Sequence, residues 1–328
     1  MHAWLCETLE GVDKLRWAEL PTPAPKAGEV LIAIKAASLN FPDLLTVKGQ
    51  YQVKPPLPFV PGSEFAGRIE AVGEGVAHLK AGQAVACVGA AGGFATHACV
   101  NAASVLPLPS GFDLVDAAAF GLTYGTSHHA LLDRGQLKAG ETVLVLGAAG
   151  GVGTSAIQIA KVAGARVIAA VSSEAKAAFC KKLGADETLD YADGDMGKLR
   201  EAIGALTDGK GPDVVYDPVG GDFAEPVFRS IAPRGRYLVI GFAQGKIPSL
   251  PLNLPLLKGA SIVGVFWGDF VRREPKAAAA GVAELAQWYA RGLVRPVIDA
   301  RLPLAELPAA YARMAGRQVK GKILVVND

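Results

Sequence analysis

The stretch from Val143 to Lys161 limits what this chain can fold into more than any other. It opens on four apolar residues, Val143 to Leu146, a run suited to a strand buried in a parallel sheet. A tight segment carrying Gly147, Gly150, Gly151 and Gly153 follows. Apolar residues then recur at helical spacing as Val152, Ala156, Ile159, Ala160 and Ala163. Strand, glycine turn and helix, in that order, are the setting in which a dinucleotide fingerprint carries meaning. Side chains at those glycines would keep the backbone away from a pyrophosphate. The helix start offers unpaired N–H groups and a positive dipole end to the same anion. The spacing reads Ala148-x-Gly150-x-x-Gly153, with alanine where the first glycine usually stands. It predicts a cofactor seat at Gly150, Gly151, Val152 and Gly153. The alternative is an ordinary tight βα turn.

With 328 residues, 51% hydrophobic and 20% charged, the chain can bury a large core in one or two domains. Its formal net charge is +2 and the charges are interspersed, so no basic run suits a nucleic acid. Met1 to Lys14 carries Glu7, Glu10 and Asp13 and has no apolar h-region, which argues against a signal peptide. The uncharged stretch from Thr142 to Ala160 mimics a membrane span in length. Its glycines, Thr154, Ser155 and Gln158 favour strand, turn and helix, and no membrane partner is expected. Cys6, Cys87, Cys99 and Cys180 are scattered without C-x-x-C spacing. That fits reduced thiols in a cytoplasmic protein, most of them buried filler.

In chain order, residues 1–110 read mostly as short strands, over 28–37, 65–73, 83–88 and 94–100, with frequent Gly and Pro turns. This suggests a barrel-like β domain. From about Leu114 the pattern changes. A helix over 116–132 precedes alternating strands (143–147, 166–171, 187–190, 213–217, 235–241) and helices (174–183, 195–207, 223–232). That alternation predicts an α/β doubly wound parallel sheet. Residues 261–266 read as a further, edge strand. An apolar edge needs covering, so pairing with its copy in a homodimer is expected. A helix over 275–291, one over 304–314 and a strand over 322–326 complete the chain. The domain boundaries expected are 1–120, 121–262, and 263–328 for the edge strand and return to the first domain.

Several motifs run colinearly over nearly the whole chain. They are Ser38-Leu-Asn-Phe-Pro-Asp43, Gly49-Gln-Tyr51, Pro58-Phe-Val-Pro-Gly-Ser-Glu-Phe-Ala-Gly67, and Gly147-Ala-Ala-Gly-Gly-Val-Gly153. Further on come Lys182-Leu-Gly-Ala-Asp186, Asp190-Tyr191, Val215-Tyr-Asp-Pro-Val-Gly-Gly221 and Gly321-Lys-Ile-Leu-Val325. On these residues the chain resembles the zinc-independent medium-chain dehydrogenase/reductases of the quinone oxidoreductase (zeta-crystallin-like) type. The resemblance implies a GroES-like β-barrel domain, a Rossmann domain and a cleft between them. The zinc-dependent branch of that superfamily has a Cys in the first motif and Gly-His-Glu in the second. Here the first motif offers Ser38 and its neighbours, and the second reads Gly62-Ser63-Glu64. The five histidines, His2, His78, His97, His128 and His129, show no ligand spacing, so no metal is expected. His128 and His129 read as a partly exposed helix face, and Glu64 as a structural hydrogen-bonding carboxylate.

The cofactor expected is NADPH. An NAD-preferring site carries an acid at the end of the second strand. This chain has Ser172, Ser173 and Lys176 there, two hydroxyls and a point charge suited to a 2′-phosphate. Ser172 as a helix cap and Lys176 as a solvated residue describe the same positions without a ligand. By the resemblance, Tyr191 and Arg317 contact the adenosine end. Thr126, Gly241, Phe242, Val265 and Phe266 lie near the nicotinamide, with core packing the alternative for the last four. Asn40 and Tyr51 are the catalytic candidates, Asn40 also beside the cofactor. Tyr51 matches an active-site tyrosine of related 2-enoyl thioester reductases, and otherwise lines the cleft. Asn40 otherwise stabilises its own turn before Pro42, and Asp43 is a helix-start residue. The expected substrate is a quinone or an α,β-unsaturated carbonyl, reduced by hydride with no covalent enzyme intermediate. Three readings stand: a quinone reductase, an enone, enal or enoyl-thioester reductase, and a non-catalytic NADPH-binding protein.

Overall fold

The computed structural model describes residues 1–89 and 91–327. The chain forms two compact units, Met1–Leu122 with Ile298–Asp328, and Thr123–Val297. Residues 263–297, grouped in the sequence reading with the return segment, cluster with the second unit. One long strand, paired with three others, organises the first unit's main sheet. Glu29–Ser38 pairs along one side with Glu64–Val72. On its other side it pairs with His97–Asn101 near its start and with Lys322–Val326 near its end. The seven-stranded sheet continues through Ala84–Val88 and Val105–Pro107, and beyond Lys322–Val326 to Ile298–Pro303. Inward-facing Ile32, Ile34, Phe65, Ile69, Val85 and Cys87 pack with Phe94 and Tyr311 into its main core.

In the second unit six parallel strands stand side by side. Their spatial order is Glu187–Asp190, Arg166–Val171, Thr142–Val145, Val214–Asp217, Arg236–Val239, Ser261–Gly264. This is the doubly wound arrangement the alternating pattern predicts. The central strands are apolar without alternation because helices cover both faces. Val143, Leu144, Val145, Val167, Ile168, Val214 and Val215 are all fully buried. Ser261–Gly264 is the edge, and it stops two residues short of the expected 266, because Phe266 opens the helix Trp267–Arg273.

The expected helix over 116–132 is instead three pieces, Leu114–Ala117, Gly121–His128 and a π-helical turn His129–Arg134. Among the described residues no helix is long and apolar enough to cross a membrane.

Candidate active site

Five of the six strands in the second unit hand the chain directly to residues singled out in the sequence. Gly150 to Gly153 follow the strand ending at Val145, and Ser172 and Ser173 follow Val171. Tyr191 follows Asp190, Gly241 and Phe242 come soon after Val239, and Val265 and Phe266 follow Gly264. All lie beyond the carboxyl ends of one parallel sheet. There, Thr142–Val145 and Val214–Asp217 flank the point where the strand order reverses, the place where open α/β sheets bind ligands.

The fingerprint turn is tightly built. Gly147 has φ +57°, a left-handed conformation open to glycine. Because the reversal falls at Gly147, the next position tolerates a side chain, and Ala148 sits there fully buried. A Cβ on Gly153 would lie 2.5 Å from the Gly147 carbonyl oxygen and 2.6 Å from that of Ala148. Only glycine lets the helix Gly151–Val162 start so close to the turn. That helix has Gly150 as its N-cap, with no side chain capping it and no acid in its first turn. Its leading N–H groups are therefore left to an anion.

The helix is also anchored from behind. Ser127 Oγ lies 2.7 Å from Ser155 Oγ and 2.8 Å from the phenol oxygen of the buried Tyr216, and donates to the Val152 carbonyl at 3.1 Å. This fixes the helix that carries Thr126, which is half-buried beside Ser127. The sequence reading missed this triad, whose members lie up to 89 residues apart.

At the end of Arg166–Val171, Ser173 is the N-cap of Glu174–Lys182, its hydroxyl accepting the Lys176 backbone N–H at 3.3 Å. The Lys176 ammonium donates to Ser172 Oγ at 3.3 Å. The cap belongs to Ser173, not to Ser172. Glu174 is exposed at the first turn, as the dipole favours. Tyr191 packs against Phe223 with ring centroids 4.8 Å apart. Arg317 belongs to the first unit, where it is exposed at φ +54° after the helix Leu307–Ala315.

In the first unit, Asn40 and Asp43 open the short helix Phe41–Val47. Asp43 Oδ2 accepts the Asn40 backbone N–H at 2.8 Å, and Asp43 Oδ1 accepts the Ser63 N–H at 3.0 Å. Asn40 uses its side chain differently. Its Nδ2 donates to Glu64 Oε2 at 3.0 Å and approaches Ser38 Oγ at 3.3 Å, while its Oδ1 accepts from the Lys322 ammonium. Glu64, fully buried, also accepts from Ser38 Oγ at 2.6 Å, the Leu122 N–H at 2.7 Å and Lys322 at 3.2 Å. Glu64 thus has the hydrogen-bonding role expected of it. Lys322, its partner 258 residues away, was not anticipated. Removing one member of such a pair leaves a buried charge and costs about 3–5 kcal/mol.

Burial pushes the Asp43 carboxyl up to about 6, although the Ser63 and Asn40 hydrogen bonds oppose it. The fold therefore holds this proton where the unfolded chain has lost it. Stability from this group is complete below about pH 4, falls as pH rises to about 6, and is flat above. We expect thermal melts of the wild type to lose on the order of 3 kcal/mol over that window relative to Asp43→Asn. Parallel pH profiles for the two proteins would contradict this placement of the proton.

Tyr51 follows the helix Phe41–Val47 and is half-buried. Burial, then the nearby Asp43 charge, raises its phenol above the usual value, so it stays protonated. The Ser63 hydroxyl is buried and has no hydrogen-bond partner among the described residues. Among the described residues no three His, Cys, Asp or Glu side chains converge as a metal site. His129 departs from the exposed helix face expected of it. It is 5% exposed, stacked on Phe270 at 3.9 Å, with Nδ1 2.8 Å from Asp133, because the helix Trp267–Arg273 covers it. His128 lies 2.8 Å from Glu284.

Barrel-like sheet, doubly wound sheet and glycine-lined helix start together define a dinucleotide-dependent dehydrogenase architecture. Residues 26–110 match the alcohol dehydrogenase GroES-like domain family, and residues 151–284 match the zinc-binding dehydrogenase family. "Quinone oxidoreductase-like protein 2" of Bos taurus is 34% identical across 99% of this chain and 96% of its own length. "Quinone oxidoreductase" of Pseudomonas aeruginosa is 34% identical across 96% of each chain. A mycobacterial structure solved in complex with NADPH superposes with a TM-score of 0.92, at 31% identity over the full length of both chains. The chain belongs to the quinone oxidoreductase branch of the medium-chain dehydrogenase/reductase family, a family of oxidoreductases.

Proposed function

We propose that this protein is an NADPH-dependent oxidoreductase that reduces a quinone without zinc. The observation that carries the reading is the uncapped, glycine-lined start of the helix Gly151–Val162 at the sheet's reversal point. Gly150, Gly151, Val152 and Gly153 would receive the pyrophosphate. Ser172, Ser173 and Lys176, with Tyr191 and Arg317, would receive the adenosine end and its 2′-phosphate. Thr126, Gly241, Phe242, Val265 and Phe266 would border the nicotinamide. Bound NADPH supplies the hydride. The acceptor gains two electrons with it and develops negative charge on oxygen, which a proton then neutralises. The chain's part is to hold the acceptor, exclude water and offer a donor to that oxygen.

Tyr51 is the donor in this reading. Asn40 belongs to the site for where it stands, two residues past the strand Glu29–Ser38, with its amide N–H groups given to Glu64 and Ser38. The names of the relatives support a quinone, and Ser38 and its neighbours with Ser63, in place of soft or imidazole ligands, support chemistry without zinc. The half-buried phenol favours a second reading, reduction of an enone, enal or enoyl thioester, in which the oxygen becomes an enolate.

Assaying NADPH oxidation with a naphthoquinone, a short enone and crotonyl-CoA decides between these readings. We expect turnover with the naphthoquinone that survives chelator treatment. Turnover with crotonyl-CoA alone supports the second reading, and tight NADPH binding with no oxidation by any acceptor makes the protein a non-catalytic NADPH binder. Cofactor choice has its own test. Ser173→Asp places a carboxylate where the 2′-phosphate would lie and should invert the NADPH/NADH ratio of kcat/KM; an unchanged ratio refutes the assignment.

The reading includes a cytoplasmic homodimer paired through Ser261–Gly264. Ile262 on that strand is 42% exposed, and Leu252, Leu256 and Leu257 nearby in sequence are 72–80% exposed. A monomer in sedimentation at micromolar concentration rules the dimer out.

A further inference from the structure

The Lys322 ammonium is enclosed by protein oxygens. It donates to the Leu39 carbonyl at 3.1 Å, to Asn40 Oδ1, and to Glu64 Oε2 at 3.2 Å, with the residue only 4% exposed. Three donors meet three acceptors, so the charge is fully satisfied. Four segments converge on this point: the end of the strand Glu29–Ser38, the head of the helix Phe41–Val47, the first residue of Glu64–Val72, and the first residue of Lys322–Val326. The network also decides which way the Asn40 amide faces. The ammonium can donate only to an oxygen, and the Glu64 carboxylate can accept only from an N–H, so the amide cannot turn over without breaking both contacts.

We propose that Lys322 is a positioning residue for the reaction. By fixing the Asn40 amide and the Leu39 carbonyl it sets the course of the segment leading from residue 39 to Tyr51. This rests on the proposed function, in which Asn40 and Tyr51 belong to the site. Lys322 need not touch substrate or cofactor. It acts through Asn40, so its effect belongs to the chemical step and is shared with Asn40. Arginine is no substitute, because its planar fork cannot satisfy three oxygens converging on one ammonium.

The test is a double-mutant cycle on Lys322→Met and Asn40→Ala, with turnover, the NADPH dissociation constant from cofactor fluorescence, and the melting temperature measured for each protein. Lys322→Met should lower kcat by on the order of tenfold to a hundredfold. It should leave the NADPH dissociation constant within about threefold, since the pyrophosphate seat is elsewhere in the chain. Adding Asn40→Ala should lower kcat little further, and Lys322→Arg should not restore it. Multiplying effects, an affinity loss that tracks kcat, or unchanged turnover would each overturn the proposal. If Lys322→Met does not fold, Lys322→Met with Glu64→Gln removes both charges and is expected to show the same loss in kcat.

Should the wild type oxidise NADPH with no acceptor, the functional reading fails by itself. The positioning claim is then read from the Asn40 side-chain amide resonances. These should shift in Lys322→Met or in the paired variant, and unchanged resonances would refute it.

Discussion

Gly153→Ala should raise the NADPH dissociation constant by on the order of a hundredfold, the loss that follows when a binding group is displaced by about 1 Å. The added Cβ would stand 2.5–2.7 Å from the carbonyls of Gly147 and Ala148, and these are backbone atoms that cannot swing aside. Either the turn or the helix start must move, and the N–H groups of Gly151 and Val152 move with it. Overpacking of this kind also costs about 1–3 kcal/mol of stability. Fluorescence titration with NADPH and a thermal melt measure the two effects separately. Unaltered affinity would mean that the pyrophosphate is not seated at this turn.

Tyr51→Phe carries the second large effect. If the phenol donates to the oxygen that becomes negative, the chemical step should slow by on the order of a hundredfold, the usual consequence of removing one such donor. NADPH affinity should stay the same. Burial and the Asp43 charge both keep the phenol protonated, so the wild-type donor should remain intact through neutral pH. Single-turnover rates with the naphthoquinone and the enone separate the cases. A rate unchanged with both acceptors leaves Tyr51 as a wall and removes it from the chemistry.

The second unit was the more legible part of the sequence. Arg166–Val171 falls where the sequence places it, because a parallel strand covered on both faces reads as a bounded apolar run, and Glu187–Asp190 falls at its expected place in the alternation of strands and helices. The first unit hid more. The pair His2–Leu5 and Arg16–Glu19 escaped notice because neither strand alternates cleanly; their register is fixed by cross-strand contacts such as Trp4 against Trp17. Ile298–Pro303 alternates Ile, Ala and Leu with Asp and Arg, a strand pattern too short and too close to a proline to stand out, and it pairs along Lys322–Val326. The short helix Asn253–Lys258 holds a proline and three leucines, two of them exposed, a composition with no helical face.

The site divides in the same way. Residues carried on one local motif, from Gly150 to Gly153 or Ser172 to Lys176, could be singled out from the sequence. Lys322 could not, because what makes it unusual is a carboxylate 258 residues earlier in the chain. The only local trace was a lysine opening an apolar strand, and many exposed lysines do the same.

The position of Lys322–Val326 within the first sheet bears on how the protein is made. Thr123–Val297 is one uninterrupted stretch and has all of its strands before Lys322–Val326 is synthesised. The first unit does not, since the edge of Glu29–Ser38 near Ser38 receives its partner only after residues 322–326 are made. Until then that edge waits without its partner and the Glu64 carboxylate without Lys322, and the edge is open to stray pairing with other nascent chains. Residues 1–122 are thus synthesised before the second unit and completed after it.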